Sequence, residues 1–524
     1  MKKLVLVIIT LFCVSQIIAE GARYLIIAPD SFVQALQPLA DWKIKKGVKA
    51  IIVPLSITGN TAVQIKNYIL NAYNTWQIRP EYVLLAGSGT VLPYFGNSDD
   101  YFANMDSNYR IELSIGRFPC ATSNQCQNIV FKTLSHERTP FIDDTTWYLK
   151  GTTVVREDQA PYDAIFWDGA RYSAMLMHDA DFLQIDSMSR LRGQTHLHIE
   201  QAINDGRSYI IYFGDSNNWW WIPFNLDSLQ LNNSCKFPIM VSVSCVTVGN
   251  GYPMIGEYFM RTGSLINPKG AVGYFGTTRI GSAWDLRVYV GKSFFRSIFF
   301  DDIYKLGDVA KRAKYMLDSI YNNQIYYQEW NLYGDPELNL WTAVPKPLTV
   351  TYDSIIHSTP TNVTVTVMSN GMPVPNALIC LMKDTTIYQY GYSDSNGIKV
   401  FSISPQDTGT ISITVTARNC HPFEGIIRVL PAGIEEITLP FGSAMTKRVK
   451  IFPNPCSKIT EIYCNQVSDI AIYDVQGRKL QNLRVMSSDK SQKFILNLEN
   501  LKAGVYMVVV KSGQDKVVAK LVRY

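Results

Sequence analysis

Ser208-Tyr-Ile-Ile-Tyr-Phe-Gly-Asp215, followed downstream by Pro238-Ile-Met-Val-Ser-Val-Ser-Cys245, decides the fold class of this chain. Each is a continuous apolar run that stops at a polar residue. Strands buried on both faces look like this, whereas half-exposed strands alternate. The pattern recurs at Tyr24-Leu-Ile-Ile-Ala28, Lys49-Ala-Ile-Ile-Val-Pro54, Tyr82-Val-Leu-Leu-Ala-Gly87, Thr152-Thr-Val-Val155 and Ala271-Val-Gly-Tyr-Phe275. Amphipathic stretches lie between, such as Val33 to Lys46 and Thr61 to Trp76. This alternation predicts an α/β domain with a mainly parallel sheet and flanking helices, from Arg23 to about Trp341. In such sheets functional groups gather at the carboxyl ends of the strands. Asp158, Asp215 and Cys245 all fall just past strand ends.

At 524 residues the chain is too long for one core. Beyond Val344-Pro-Lys-Pro347 the pattern changes to short alternating stretches, such as Asn362-Val-Thr-Val-Thr-Val367, separated by turns at Asn370-Gly371 and Asn396-Gly397. These features predict an antiparallel, immunoglobulin-like β-sandwich. The expected organisation is a signal peptide at 1–19, the α/β domain at 23–343, the sandwich at 346–430, a linker at 431–447 and a second all-β domain at 448–524. Met1-Lys-Lys and the apolar run Leu4 to Val14 form the leader, with cleavage expected after Ala19 or Ala22. The first strand follows almost at once, so no long pro-domain is expected. No other segment approaches the ~18 apolar residues of a membrane span. With a net charge of +5 and no dense Lys/Arg run, nucleic acid is not an expected partner.

Export permits disulfides, and Cys120 with Cys126, Cys380 with Cys420, and Cys456 with Cys464 are candidate pairs. Cys235 and Cys245 are left over. No CxxC or His/Cys cluster suggests zinc, and no cofactor is implied; calcium binding is left open.

Six landmarks arrive in one order: Ala35-Leu-Gln-Pro-Leu-Ala-Asp-Trp-Lys-Ile-Lys-Lys-Gly47; Asp100-Tyr-Phe-Ala103 with Asp106; Ile115-Gly-Arg-Phe-Pro119; Gly206 to Gly214; Val241-Ser-Val-Ser-Cys-Val246 with Gly256-Glu257; and Tyr333-Gly-Asp-Pro-Glu-Leu338. In these the first domain resembles the gingipain family of secreted cysteine peptidases, which have a caspase-like fold. The resemblance implies that Cys245 is the nucleophile. It implies that Asp158, or Glu157 if the register slips by one, is the acidic residue that orients the catalytic histidine. That histidine is missing. Where the family has Gly-His-Gly-Ser, this chain reads Gly214-Asp215-Ser216-Asn217.

An aspartate cannot do the whole job of an imidazole, which takes the thiol proton and later protonates the leaving amine near neutral pH. With Asp158 nearby, two carboxylates would share the site and one would stay protonated. No other histidine is an obvious replacement, although a rearranged loop could bring in His196 or His198. Trp219-Trp220-Trp221 cannot all face inward, so at least one is expected beside the cleft. With Trp284 they form the expected substrate-binding group. Asp163 and Asp168 lie in the region of the family's acidic specificity pocket, without an assignment to either.

Phe452-Pro-Asn-Pro455, Ile472-Tyr-Asp-Val-Gln-Gly-Arg478 and Leu498-Glu-Asn-Leu-Lys-Ala-Gly-Val-Tyr506 resemble the C-terminal sorting domain of the type IX secretion system. That implies engagement with the secretion machinery and a secreted or outer-surface location. The expected function is that of a cysteine endopeptidase acting on protein or peptide through Cys245, impaired by Asp215. The alternatives are an inactive surface pseudo-peptidase that binds peptide or glycan, and a protein that only processes itself.

Overall fold

The computed structural model describes residues 20–524 apart from 107, 227–229, 250–253, 282, 432–449, 453, 455, 464–468, 485–492, 513–514 and 524. The expected leader, nearly all of the expected linker and Cys464 therefore lie outside the described residues. Two compact units are present, divided between Pro431 and Ala432.

The first unit is built on twelve short strands: β1 (Tyr24–Ala28), β2 (Ala50–Pro54), β3 (Tyr82–Ala86), β4 (Ser114–Phe118), β5 (Lys150–Val155), β6 (Gln184–Ser189), β7 (Tyr209–Phe213), β8 (Ser216–Asn217), β9 (Trp219–Trp220), β10 (Ile239–Val246), β11 (Gly273–Thr277) and β12 (Trp330–Gly334). Ten of them form one sheet in the order β2-β1-β3-β4-β12-β11-β10-β7-β5-β6, while β8 and β9 make a small hairpin. Five-residue runs such as β1, β3 and β7 are buried at every position. Helices cover both faces, which explains why those strands read as unbroken apolar runs.

Every neighbouring pair in the sheet is parallel except β11 with β12. The sheet is thus two parallel blocks that run in opposite directions and meet at that pair. In the second block β6 lies outside β5, and the chain then returns to β7 on the other side of β5. A strand order that reverses in this way opens a crevice at the carboxyl ends of β5 and β7.

Local sequence explains the helix ends. Thr61 caps the helix Ala62–Thr75 in a capping box with Gln64, and the helix Val33–Lys45 places Lys43 and Lys45 in its last turn, where the dipole favours cations. After β12 the chain enters the sandwich, a four-stranded and a five-stranded sheet closed over Val363, Val365, Ile379, Ile413 and Ile427. The sandwich docks on the end of the Val33–Lys45 helix: Tyr388 Oη donates to Ile44 O at 3.2 Å, and Glu424 bridges Lys45 and Arg138. The second unit is a three-stranded and a four-stranded sheet around Ile462, Ile470, Leu496, Val508 and Leu521.

Among the described residues every cysteine is a free thiol, which corrects the candidate pairs Cys120 with Cys126 and Cys380 with Cys420. The candidate pair Cys456 with Cys464 involves Cys464, which lies outside the described residues. Cys120 and Cys126 do lie against each other, and that contact, with burial, pushes the Cys126 thiol far up. Cys380 instead turns towards Ile44 O, while Cys420 lies beside Ser369 and Lys346.

Under the sheet, Lys43 is fully buried and pairs with Glu137 at 2.9 Å, Asp335 at 2.6 Å and Glu337 at 2.6 Å. Lys46 meets Glu137 and Glu337 at 2.5 Å, and Lys305 pairs with Glu337. Burying charge is costly unless it is matched in this way. Lys43→Met should therefore strand carboxylates in the core and destabilise the protein by about 3–5 kcal/mol. The measurement is the urea midpoint at unchanged m; a midpoint equal to that of the unmodified chain would contradict the assignment.

Candidate active site at the carboxyl ends of β5, β7 and β10

β7 and β10 pair in parallel up to Phe213↔Val243, so two residues further along each strand lie Asp215 and Cys245. β5 pairs with β7 up to Val155↔Phe213, which puts Arg156 and Asp158 at the same edge. The three residues singled out from the sequence therefore share one rim, as strand order and register require.

Their partners are not those expected. Cys245 is 7% exposed, and its sulfur lies 3.4 Å from Nη1 of Arg287 and 3.5 Å from Gly281 O. Arg287 comes from the helix Trp284–Phe299 and is fully buried. It makes a two-pronged ion pair with Glu329, Nε to Oε1 at 2.8 Å and Nη2 to Oε2 at 2.9 Å. Burial pulls Arg287 down, yet the paired Glu329 and the adjacent Cys245 raise it overall, so the guanidinium remains charged.

Asp215 and Asp158 do not meet as two bare carboxylates. Arg156 stands between them, bonded to Asp158 and lying 3.4 Å from Asp215 Oδ2. A second guanidinium, Arg190, reaches Asp158 at 2.6 Å. Arg156 is thus a third, cationic member of the site where two carboxylates were expected alone. Burial pushes the Asp215 carboxyl above its ordinary range and Asp163 adds to this, against the downward pull of Arg156 and Arg287. Glu157 points elsewhere, accepting from Trp167 Nε1 at 2.6 Å. Asp163 accepts from the backbone N–H groups of Asp158 and Ala160, and Asp168 pairs with Lys292 on the surface.

No histidine replaces the missing one. His196 and His198 open the helix His196–Asp205 and not a loop that could bring them to the site, and His198 Nδ1 accepts from Thr195 N at 3.1 Å. His136 is buried between Trp147 and Trp341, where burial lowers its pKa to about 4.

The tryptophan run is split by the β8–β9 hairpin, whose connecting residue Asn218 has φ 64°, a conformation asparagine tolerates. Trp220 is core, not a substrate contact: it stacks on Tyr212 at 4.2 Å and donates to Ser242 Oγ at 2.8 Å. Trp219 is half-buried against Tyr258. Trp221 is 47% exposed, with the Arg156 guanidinium 5.1 Å from its ring. Trp284 is partly exposed between Phe166 and Arg287.

The residues missed in the sequence are Arg156, Arg287 and Glu329. Arg287 lies three residues after Trp284, on the same helix face. Only the pairing of β11 with β12 brings Glu329 to it.

One carboxylate group among the described residues has the spacing to hold a cation: Glu137, Asp335 and Glu337. The ammonium groups of Lys43, Lys46 and Lys305 already neutralise it, so its donors do not fit a metal ion. No helix among the described residues is long and apolar enough to cross a membrane.

A family model described as peptidase family C25 matches residues 18–341, and one described as a secretion system C-terminal sorting domain matches residues 450–523. Gingipain R2 of Porphyromonas gingivalis is 21% identical over 539 residues, covering 96% of this chain and 68% of that protein. Lys-gingipain of the same organism is 21% identical, and this chain spans only 26% of its length. The crystal structure of the Arg-specific cysteine proteinase gingipain R superposes with a TM-score of 0.70 at 20% identity, over 78% of this chain and 98% of that one. The complex of the RgpB pro- and mature domains gives a TM-score of 0.71, over 78% and 100%.

The hairpin has a measurable consequence. Trp220→Ala should cost about 3–5 kcal/mol in chemical denaturation. Trp221→Ala should stay within about 0.5 kcal/mol. Equal losses would mean that the two rings do not divide into anchor and surface.

Proposed function

The chain belongs to peptidase family C25, and from that membership we propose that it cleaves peptide bonds slowly, with Cys245 as the attacking group and without a catalytic histidine. The observation that carries the reading is a sulfur at a strand end, 3.4 Å from a buried guanidinium. The thiolate is the nucleophilic form of cysteine, and Arg287 supplies the positive charge that an imidazolium otherwise provides.

In this reading the Cys245 thiolate, beside the Arg287 guanidinium, attacks the scissile carbonyl carbon. Asp215, in its protonated form, gives its proton to the leaving amine as the carbon–nitrogen bond breaks, which leaves a thioester. The Asp215 carboxylate then takes a proton from the water that hydrolyses the thioester, restoring both groups. The raised Asp215 carboxyl supports its part as donor. Asp158 acts one step back, holding Arg156 against Asp215.

The sorting domain marks the chain for export, and we assign it to the type IX route, with the peptidase acting on protein or peptide outside the cell. A second reading, a surface pseudo-peptidase, is favoured by Arg156, which ties up the carboxylates, and by the exposed Trp221.

The test is turnover of a mixed peptide pool by the full chain, by Cys245→Ala and by Asp215→His. Cleavage lost in Cys245→Ala is the expected result. Because Asp215 must be protonated to act as donor, turnover should fall as pH rises through its elevated pKa. A silent chain that Asp215→His awakens would overturn the peptidase reading in favour of the pseudo-peptidase.

A further inference from the structure

Beside Cys245, on the side away from Asp215, lies a cleft of about 590 Å³ lined by residues 95–98, 101, 104, 108–109, 278–279, 324–325 and 328–329. That volume is within the ~300–1,000 Å³ range of ligand sites. It is not a separate feature of the surface. Glu329 lines it and grips Arg287, and Arg287 touches Cys245, so one guanidinium stands between the cleft floor and the sulfur.

The lining has a definite chemistry. Phe95 is 49% exposed, and its ring stacks on Tyr101 at 3.8 Å and 14°. The ring is set by a tight turn in which Ser98 N donates to Phe95 O and Gly96 adopts φ 62°. At the Cys245 end, Arg279 is exposed. Its carbonyl accepts from Arg287 Nη2 at 3.0 Å, and against the upward push of burial its charge helps to pull the Glu329 carboxyl down. Its guanidinium makes no hydrogen bond or ion pair among the described residues. Between them lie the amides of Asn97, Gln324 and Gln328. Gln324 donates to Gln328 at 3.2 Å, which leaves one free acceptor on the first and free donors on the second.

We propose that this cleft is an extended substrate subsite, which takes a stretch of peptide carrying an acidic side chain beside an aromatic or large apolar one. It rests on the reading of Cys245 as the group that acts on peptide. The acidic side chain meets Arg279, the apolar one lies on the Phe95 face, and the side-chain amides pair with peptide N–H and C=O groups, whose donor-and-acceptor pattern they share. A sugar fits the lining less well. Its hydroxyls call for free carboxylate acceptors, and the one carboxylate in the lining, Glu329, is held on both oxygens by Arg287. The rim around Asp215 agrees with a non-basic preference, since its carboxylates are engaged by Arg156 and Arg190.

The experiment uses the full chain with Cys245→Ala, so that binding is read without turnover. Short fluorescein-labelled peptides that differ only in a Glu-Phe, Lys-Phe or Glu-Ala pair are titrated by anisotropy. The Glu-Phe peptide should bind roughly tenfold tighter than Lys-Phe, the scale of a charge-assisted hydrogen bond. Adding Arg279→Glu should reverse that order, and adding Phe95→Ala should close the gap between Glu-Phe and Glu-Ala. Equal affinities, or an acidic preference that survives Arg279→Glu, overturn the proposal. So does tighter binding of an acidic oligosaccharide than of any peptide. Turnover of the same peptides by the unmodified chain separates the two readings. Discrimination without turnover keeps the subsite and sinks the peptidase; turnover indifferent to the paired residues does the reverse.

Discussion

β12 is held by buried charge at both ends, and the first unit is organised around that constraint. At its amino end Glu329 is locked to Arg287, and Lys314 pairs with Asp100 while donating to Trp330 O. Past its carboxyl end, Asp335 and Glu337 receive Lys43, Lys46 and Lys305, and Tyr24 donates to Asp335 at 2.7 Å. This is the strand across which the two opposed parallel blocks join. The β11–β12 ladder and the packing of the buried faces resist sliding of the two blocks. Paired charges in a low-dielectric interior tolerate no such slip, since an unmatched ion there is costly. The seam thereby fixes the register of β11, and with it the place of Cys245 on β10.

The chemistry at the rim follows from the same electrostatic demand. β5 is followed by both Arg156 and Asp158 and β7 by Asp215, so one guanidinium stands between two carboxylates. Asp215, lifted by burial, is the carboxyl at the position closest in register to the thiol. The positive charge beside the sulfur comes from a different element, the helix after β11.

Much of the fold could be read directly because buried strands have no polar face. β1, β3, β7 and β10 stand out as apolar runs for that reason. β6 was missed on the same grounds. Its sequence, Gln184-Ile-Asp-Ser-Met-Ser189, is that of an edge strand with exposed positions and carries no apolar run. The opposition of the two blocks was invisible, since a strand's sequence does not encode its direction. At the site, Cys245 and Asp215 were legible because strand ends are local features. Arg287 and Glu329 were not, because their meeting depends on a pairing between segments far apart in the chain. Trp220 was misjudged as surface because three adjacent aromatics do not reveal where a hairpin will divide them.

The free thiols bear on how the protein lasts in its surroundings. Cys120, Cys126, Cys380, Cys420 and Cys456 are all buried, and no described cysteine is cross-linked, although the chain is destined for an oxidising exterior. Its stability there comes from packing and matched charge. Once the core closes, these five thiols are shielded from oxidants outside, so their reactivity is set by burial.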